Sequence, residues 1–424
     1  MTQPALAGLR ILDMTQIAAG PYATLLLGFM GAEIIKVESC SRMDINRGLA
    51  RPTPESSHMY PQGIPGERPW NRAAHHIHRN GNKRSVTLDL ASPPGKQLFL
   101  KLVAICDVLI ENYRASVLDR LGLGYAELCT VNPTLVYVKI SSQGATGPEK
   151  DYGSLGSTLE QTAGLASITG YEDGRPLMTN ETYPDPVVGL LAVGALMAAL
   201  RRRRQTGQGA FVDLSQREAT VTLLGEAVVD YSLSGRVAAP IGNGHPLMVP
   251  HGVYPCRGDD MWVAVAVSSD DEWRGLCQAI GQPELTEDAR FATLAGRWRH
   301  QRALDDMLSS WSRGHDHYQA MHVLQAHGVP AGPVLTAAEV IADPHLEARI
   351  FWDTVDHPEA GTYRQVSTPW RLSKHPRSPT SPAPGLGEHN GYVLGELLGL
   401  SIQEIALLEA QGIIGTRPVG LDEP

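Results

Sequence analysis

The stretch Thr182-Tyr183-Pro184-Asp185-Pro186 sets a carboxylate between two prolines, directly ahead of the apolar run Val187 to Leu200. Asp is a favoured helix N-cap, and Pro suits the first helical position, where a missing N–H costs nothing. The spacing therefore predicts Asp185 at the N-cap and Pro186 at the first position of a helix. A helix N-terminus carries partial positive charge, which favours an ionised carboxylate. An ionised, oriented carboxylate can act as a covalent nucleophile. The plain alternative is a structural cap, and local pattern alone does not separate the two. Glu160 lies upstream, and two carboxylates in one site can divide acid and base roles.

Other chemistries leave no trace in the chain. It carries no Walker A loop, no GxGxxG after a strand, no GxSxG elbow and no HExxH. The cluster His75-His76-Ile77-His78 has no Cys partner, so no metal site is expected. Five cysteines without a CxxC pair point to reduced, mostly buried thiols. A net charge of -9 argues against nucleic acid as the main partner. The first residues lack the basic start and apolar core of a signal peptide. The run 187–200 is short for a membrane span, and Arg201 to Arg204 complement a helix C-terminus. The expectation is a soluble cytoplasmic protein with no membrane partner.

These residues must be positioned by elements that alternate along the first half. Leu9–Met14, Glu33–Glu38, Ser85–Leu90, Asp107–Ile110, Leu135–Ile140 and Phe211–Ser215 read as strands. Helices are expected from Pro21 to Gly31, from Ser92-Pro93 to Ile105 and over Glu218–Tyr231. That rhythm predicts βαβ units, a parallel sheet, and ligands at the carboxyl ends of the strands. Residues 39–82 break it and read as a long loop facing substrate or another subunit. Beyond residue 230 the character changes. Met261–Val267 is a strand, and Asp271–Ile280, Trp298–Ser312 and Tyr318–Ala326 are helical. Pro330-Ala331-Gly332-Pro333 marks the exit. The expected fold is α/β: a Rossmann-like large domain with a parallel sheet (1–228 and 335–424) and a smaller α/β domain (229–334).

Several segments, in order, carry a resemblance: LAGLRILDMTQIAAGPYATLLLGFMGAEIIKVE (6–38), NKRSVTLDL (82–90), DVLIENYRASVLDRLGLGYAEL (107–128), GATGP (144–148), GSTLEQTAGLASITGYEDGRPLMTNETYPDPVVG (156–189), ALRRRRQTGQGAFVDLSQREA (199–219), GVPAGPV (328–334) and LGEHN (386–390). Together they resemble the class III coenzyme A transferases, the family of formyl-CoA transferase, the carnitine-pathway CoA transferase and α-methylacyl-CoA racemase. The YPDPVVG version is most similar to the branch acting on dicarboxylic acids, including benzylsuccinate CoA-transferase subunits. The resemblance implies an enzyme moving CoA from a donor such as succinyl-CoA to a dicarboxylic or aromatic acid. CoA thioester is then a substrate, with no tightly bound cofactor. It also implies two subunits interlocked as a homodimer, or a heterodimer with a paralogous chain.

By the same resemblance Asp185 matches the nucleophile, and Ala18 and Ala19 match backbone near CoA. Asn82 and Lys83 fall beside the nucleotide, Asn112 and Tyr113 match an Asn-aromatic pair, and Arg120 matches a phosphate-binding arginine. Cys40 occupies the place of a family arginine, with Arg42 close by. A family lysine after the 135–140 strand is replaced by Ser141 or Ser142. The racemase branch has an upstream histidine where Gly153 to Ser157 offer none, which disfavours racemisation. Gly242 to Gly244 match a glycine-rich loop, and His245 beside it faces either substrate or a turn. The alternatives are an isomerase acting on one CoA thioester and a non-catalytic subunit of a heteromeric CoA-transferase.

Overall fold

The computed structural model describes residues 3–171, 174–179 and 182–421. The chain forms two compact units, one of residues 1–165, 178–232 and 345–424, the other of residues 166–177 and 233–344.

In the first unit six strands build one sheet: β1 (Arg10–Met14), β2 (Glu33–Glu38), β3 (Lys83–Thr87), β4 (Val108–Glu111), β5 (Val136–Ser141) and β6 (Ala210–Ser215). Their order is β3-β2-β1-β4-β5-β6, and every neighbouring pair is parallel. The helices that matter for the site are α1 (Ala19–Phe29), α2 (Ala74–Arg79), α3 (Pro93–Ile105), α4 (Gly156–Thr162) and α5 (Pro184–Thr206). Parallel sheets are covered on both faces, so their strands are apolar on both. Ile11, Ile34, Val108 and Val138 pack under Ala23 and Leu27 of α1 and Val188, Ala192 and Leu196 of α5. Leu12, Ile35, Val37 and Leu109 face the other core, with Leu98, Phe99 and Leu102 of α3. The chain returns to that second core through Val393, Leu394 and Ile414. A two-stranded antiparallel ribbon, β10 (Trp352–His357) with β11 (Gly361–Val366), precedes that return.

Local chemistry sets the boundaries. Ser92 accepts the Gly95 N–H at 3.2 Å and caps α3, with Pro93 in the first turn. α5 is 23 residues long, longer than the 187–200 run suggested. By length and composition it could cross a bilayer, yet Val188, Ala192, Leu196 and Ala199 form a buried stripe against the sheet. It stops at Gly207, whose φ of 71° suits glycine. Arg203 in its last turn pairs with Asp107 at 2.8 Å.

The stretch 39–82 is not a loose loop. Short turns Pro54–Met59, Pro61–Gly63 and Pro69–Asn71 lead into α2, and Tyr60, Trp70, Ala73 and Ile77 are buried. Arg47 grips Glu38 through two hydrogen bonds of 2.7 Å, both side chains enclosed. Of the histidine cluster, His76 is a core residue: its Nδ1 accepts from Asn80 and its Nε2 donates to the Pro384 carbonyl at 3.1 Å. Burial and the Arg47 charge hold its pKa well below the usual histidine range, so the ring is neutral. The expected helix 218–231 is two helices, Gln216–Val221 and Gly225–Ser234, joined by a tighter turn at Thr222–Leu224.

The second unit has a three-stranded antiparallel sheet, β7 (His251–Pro255), β8 (Trp262–Ala266) and β9 (Ala331–Pro333). Its core gathers Val263, Val265, Trp273, Leu276, Phe291, Leu304 and Leu324. The stretch 330–333, expected as a mere exit, contributes strand β9. The helix expected over 298–312 is broken at His300, between Leu294–Arg299 and Gln301–Ser312. All five cysteines are free; Cys106, Cys256 and Cys277 are buried.

Candidate active site

The chain order reverses between β1 and β4, and in open α/β sheets ligands bind at the carboxyl ends of the strands at such a switch point. Two loops leave there: Thr15 to Ala18 after β1, and Asn112-Tyr113 after β4. Asn112 joins them. Its Oδ1 accepts the Gln16 N–H and its Nδ2 donates to the Gln16 carbonyl, both at 2.8 Å.

Asp185 lies at the first turn of α5, one position later than the spacing predicted. Tyr183 is the N-cap and Pro184 the first helical residue. The reason is that both prolines fit the first turn, whose N–H groups have no helical partner, so the earlier one starts the helix. The Asp185 N–H donates to the Thr182 carbonyl at 2.9 Å, and Thr182 holds a left-handed φ of 48°.

The carboxylate is enclosed by other elements. A side chain at Gly156, the first residue of α4, would meet Asp185 Oδ2 at 2.2 Å. Only glycine fits there. The Thr182 side chain, the Arg79 charge and the Ala19 backbone, where α1 begins, all favour the ionised carboxylate. Against these, burial pushes the Asp185 pKa up, and the nearby Glu160 charge adds to that. The balance leaves Asp185 raised above the ordinary aspartate range. Burial therefore works against the ionised form that the helix N-terminus favours. Glu160 is itself buried and pinned, accepting from the Thr179 N–H at 2.7 Å and the Thr179 hydroxyl at 2.5 Å. It acts on Asp185 through charge and shares no hydrogen bond with it.

The other residues singled out in the sequence take different places. Ala18 and Ala19 are buried at the entry to α1. Lys83 is enclosed, with its ammonium on Asp13 at 3.0 Å, Asn80 at 3.0 Å and the Pro21 carbonyl at 3.2 Å. Burial, partly offset by Asp13, lowers its pKa to about 8. It forms a core ion pair with its ammonium engaged inside the protein. Asn82 holds a left-handed φ of 59° and accepts from the Ser381 N–H. The Asn112 amide is committed to Gln16. Tyr113 is half-buried, its hydroxyl accepting from Gln16 at 3.4 Å. Arg42 and Arg120 are exposed, Arg120 closing the short helix Val117–Arg120. Lys139 is buried on Glu111 at 3.3 Å. In the second unit His245 accepts the Leu247 N–H at 3.1 Å, a turn contact, and lines a cavity of about 1090 Å³ with Gly242, Asn243 and Gly244.

Sequence reasoning missed Gly156, Arg79, Lys36 and Asp44. Glycine in GSTLEQ carries no local mark of a close approach. Lys36 and Asp44 pair at 3.1 Å with both side chains fully buried, although their types usually signal surface.

Comparison with known proteins accounts for the whole architecture. The family described as CoA-transferase family III matches residues 6–390. The chain is 34% identical to a succinyl-CoA–D-citramalate CoA-transferase of Chloroflexus aurantiacus, over 96% of this chain and 97% of that one. It is 32% identical to a succinate–glutarate CoA-transferase of Agrobacterium fabrum, over 93% and 96%. It is 33% identical to a formyl-CoA:oxalate CoA-transferase of Streptomyces coelicolor, over 98% and 100%. The crystal structure of a CAIB/BAIF family protein from Brucella suis superposes with a TM-score of 0.82 at 31% identity, covering 94% of this chain and all of that one. With α/β fold, segment order and full-length similarity in agreement, the chain belongs to CoA-transferase family III and is an enzyme of that class.

Proposed function

We propose that the enzyme transfers CoA from succinyl-CoA to a dicarboxylic acid through covalent intermediates on Asp185. The observation that carries this reading is the enclosed Asp185 carboxylate, lying where α1, α4 and α5 all begin. The similar transferases named above act, by their names, on succinate, citramalate, glutarate and oxalate, which are all dicarboxylic acids. That favours an aliphatic dicarboxylate over an aromatic acceptor.

An Asp185 oxygen attacks the thioester carbonyl of the donor. The carbon–sulfur bond breaks, giving a mixed anhydride and CoA thiolate. The thiolate attacks the Asp185 acyl carbon, releases the donor acid and leaves an aspartyl-CoA thioester. The acceptor carboxylate attacks that carbon, freeing CoA thiolate and forming a second anhydride. The thiolate then attacks the acceptor acyl carbon, and Asp185 returns as a carboxylate. No water is consumed, so a buried site protects the anhydrides from hydrolysis. A carboxylate destabilised by burial is also more basic, and hence a better nucleophile, than one in water.

In this reading CoA runs along the switch-point edge past Ala18, Ala19 and Tyr113, with Arg42 and Arg120 toward its phosphates. The working unit is two interlocked copies. The reading is tested by incubating purified enzyme with succinyl-CoA and a panel of carboxylic acids and resolving CoA thioesters by mass. Exchange into dicarboxylates that is lost in Asp185→Ala supports it. Turnover retained in Asp185→Ala overturns it.

A further inference from the structure

The helix that carries Asp185 does not cap itself. Tyr183 stands at the N-cap of α5 and makes no side-chain cap. A helix start leaves N–H groups without helical partners, and a Ser, Thr, Asp or Asn at the N-cap usually supplies an acceptor. Here the acceptor comes from four residues upstream: Thr179 Oγ1 accepts the Tyr183 N–H at 3.2 Å. The same hydroxyl donates to Glu160 Oε1 at 2.5 Å, and the Thr179 N–H donates to Glu160 Oε2 at 2.7 Å. Two donors of one residue thus meet the two oxygens of one carboxylate, which holds Thr179 in a single orientation.

A short helix supplies both fixed points of this segment. Gly156 and Glu160 lie four residues apart on α4, hence on one face of it. A β-carbon at Gly156 would meet Thr182 Cβ at 2.6 Å and Asp185 Oδ2 at 2.2 Å. One turn on, Glu160 is buried and grips Thr179. Between these points Thr182 holds a φ of 48°, a left-handed conformation that a β-branched residue resists. Such a conformation persists only where the surroundings over-determine it.

We propose that Glu160 is a positioning residue that acts through Thr179: it fixes the N-cap of α5 and so holds the Asp185 carboxylate against Gly156, aimed for attack on the thioester carbonyl. The proposal rests on Asp185 as nucleophile. It gives Glu160 a role other than acid or base, since Thr179 donors occupy both of its oxygens. Asp185 is only two residues beyond Tyr183, so a displaced N-cap displaces the nucleophile. A misplacement of about 1 Å at a reacting group costs about 10²-fold in rate.

The test compares Glu160→Ala, Glu160→Gln, Thr179→Val and Thr179→Ser with wild type and Asp185→Asn. It measures kcat, KM for succinyl-CoA and melting temperature, so that rates are compared on folded enzyme. Thr179 is half-buried and Thr179→Val keeps its shape, so that variant does not depend on a destabilised core. Glu160→Ala and Thr179→Val are expected to lower kcat by roughly 10–100-fold, with KM within about threefold of wild type. Glu160→Gln keeps an oxygen for the Thr179 N–H and an amide for its hydroxyl, and Thr179→Ser keeps the hydroxyl. Both are expected to restore kcat to within about fivefold of wild type. Glu160→Gln as slow as Glu160→Ala, or wild-type kcat in Thr179→Val, overturns the positioning role alone when Asp185→Asn is inactive. An Asp185→Asn enzyme that turns over like wild type overturns the nucleophile, and the positioning role with it.

Discussion

At Asp185 two demands conflict, and the conflict is measurable. In the proposed mechanism the residue must be charged to attack, yet burial raises its pKa above the ordinary value. A carboxyl with a raised folded pKa stabilises the fold below its unfolded pKa, and that contribution is lost as pH rises through the folded value. At neutral pH the ionised group therefore works against folding. Asp185→Asn should melt at a higher temperature than wild type at pH 7, with the gap closing as pH falls toward 4, while transfer falls by at least about 10³-fold. A melting temperature lowered at pH 7 would contradict this account of the charge. Gly156→Ala tests the enclosure: its methyl group would overlap Asp185 Oδ2, so the carboxylate must move. A displacement of that size is expected to cost about 10²-fold in kcat, and unchanged kinetics would show the contact to be slack. Asp185 as a candidate was legible from its prolines and the apolar run behind it. Its raised pKa was not, because burial by α1 and α4 comes from residues far away in the chain.

Among the elements that frame the site, α1 and α5 pack closely at Gly189. A side chain at Gly189 would meet the Ala19 carbonyl at 2.8 Å and the Tyr22 ring at 3.0 Å. Gly189→Ala should therefore push α1 from α5, costing about 1–3 kcal/mol and lowering kcat with it. Denaturant unfolding checks the first part and steady-state rates the second; full stability would mean the helices have room. Elements with local punctuation were legible from sequence. β2 spans the six residues expected, and α3 starts at Pro93 behind its Ser92 cap. β3 starts two residues earlier than expected because it opens on Lys83, a residue type that reads as surface and is here buried on Asp13. The breaks at Thr222–Leu224 and His300 carry no proline, so helical periodicity ran through them. The 39–82 stretch read as a loop because its order comes from buried ion pairs and scattered aromatics rather than from any repeat.

Across the whole molecule, charge is buried deliberately beneath the sheet edge that carries the candidate site. Glu38 is pushed up by burial but pulled further down by Arg47 and Lys36, so its pKa lies well below the carboxylate range. A depressed carboxyl contributes stability above its unfolded pKa, near 4.5, and that is lost as pH falls through the folded value. Glu38→Gln leaves the enclosed Arg47 guanidinium without its counter-charge. It should cost about 3–5 kcal/mol at pH 7. An unfolding free energy within about 1 kcal/mol of wild type would show the pair to be dispensable. The α/β class and parallel sheet were legible because apolar strands alternate with helices. The membership of residues 166–177 in the second unit was not, since a short segment lacks the length to show which core it joins. The central claim, that this fold serves to present Asp185 as a carrier of CoA, is tested most directly on the intact chain. Enzyme incubated with succinyl-CoA and no acceptor, then digested, should carry on Asp185 the mass of CoA less one water, removable by hydroxylamine and absent in Asp185→Asn. A CoA adduct on another residue, or full turnover with Asp185 unmodified and replaceable, would contradict it.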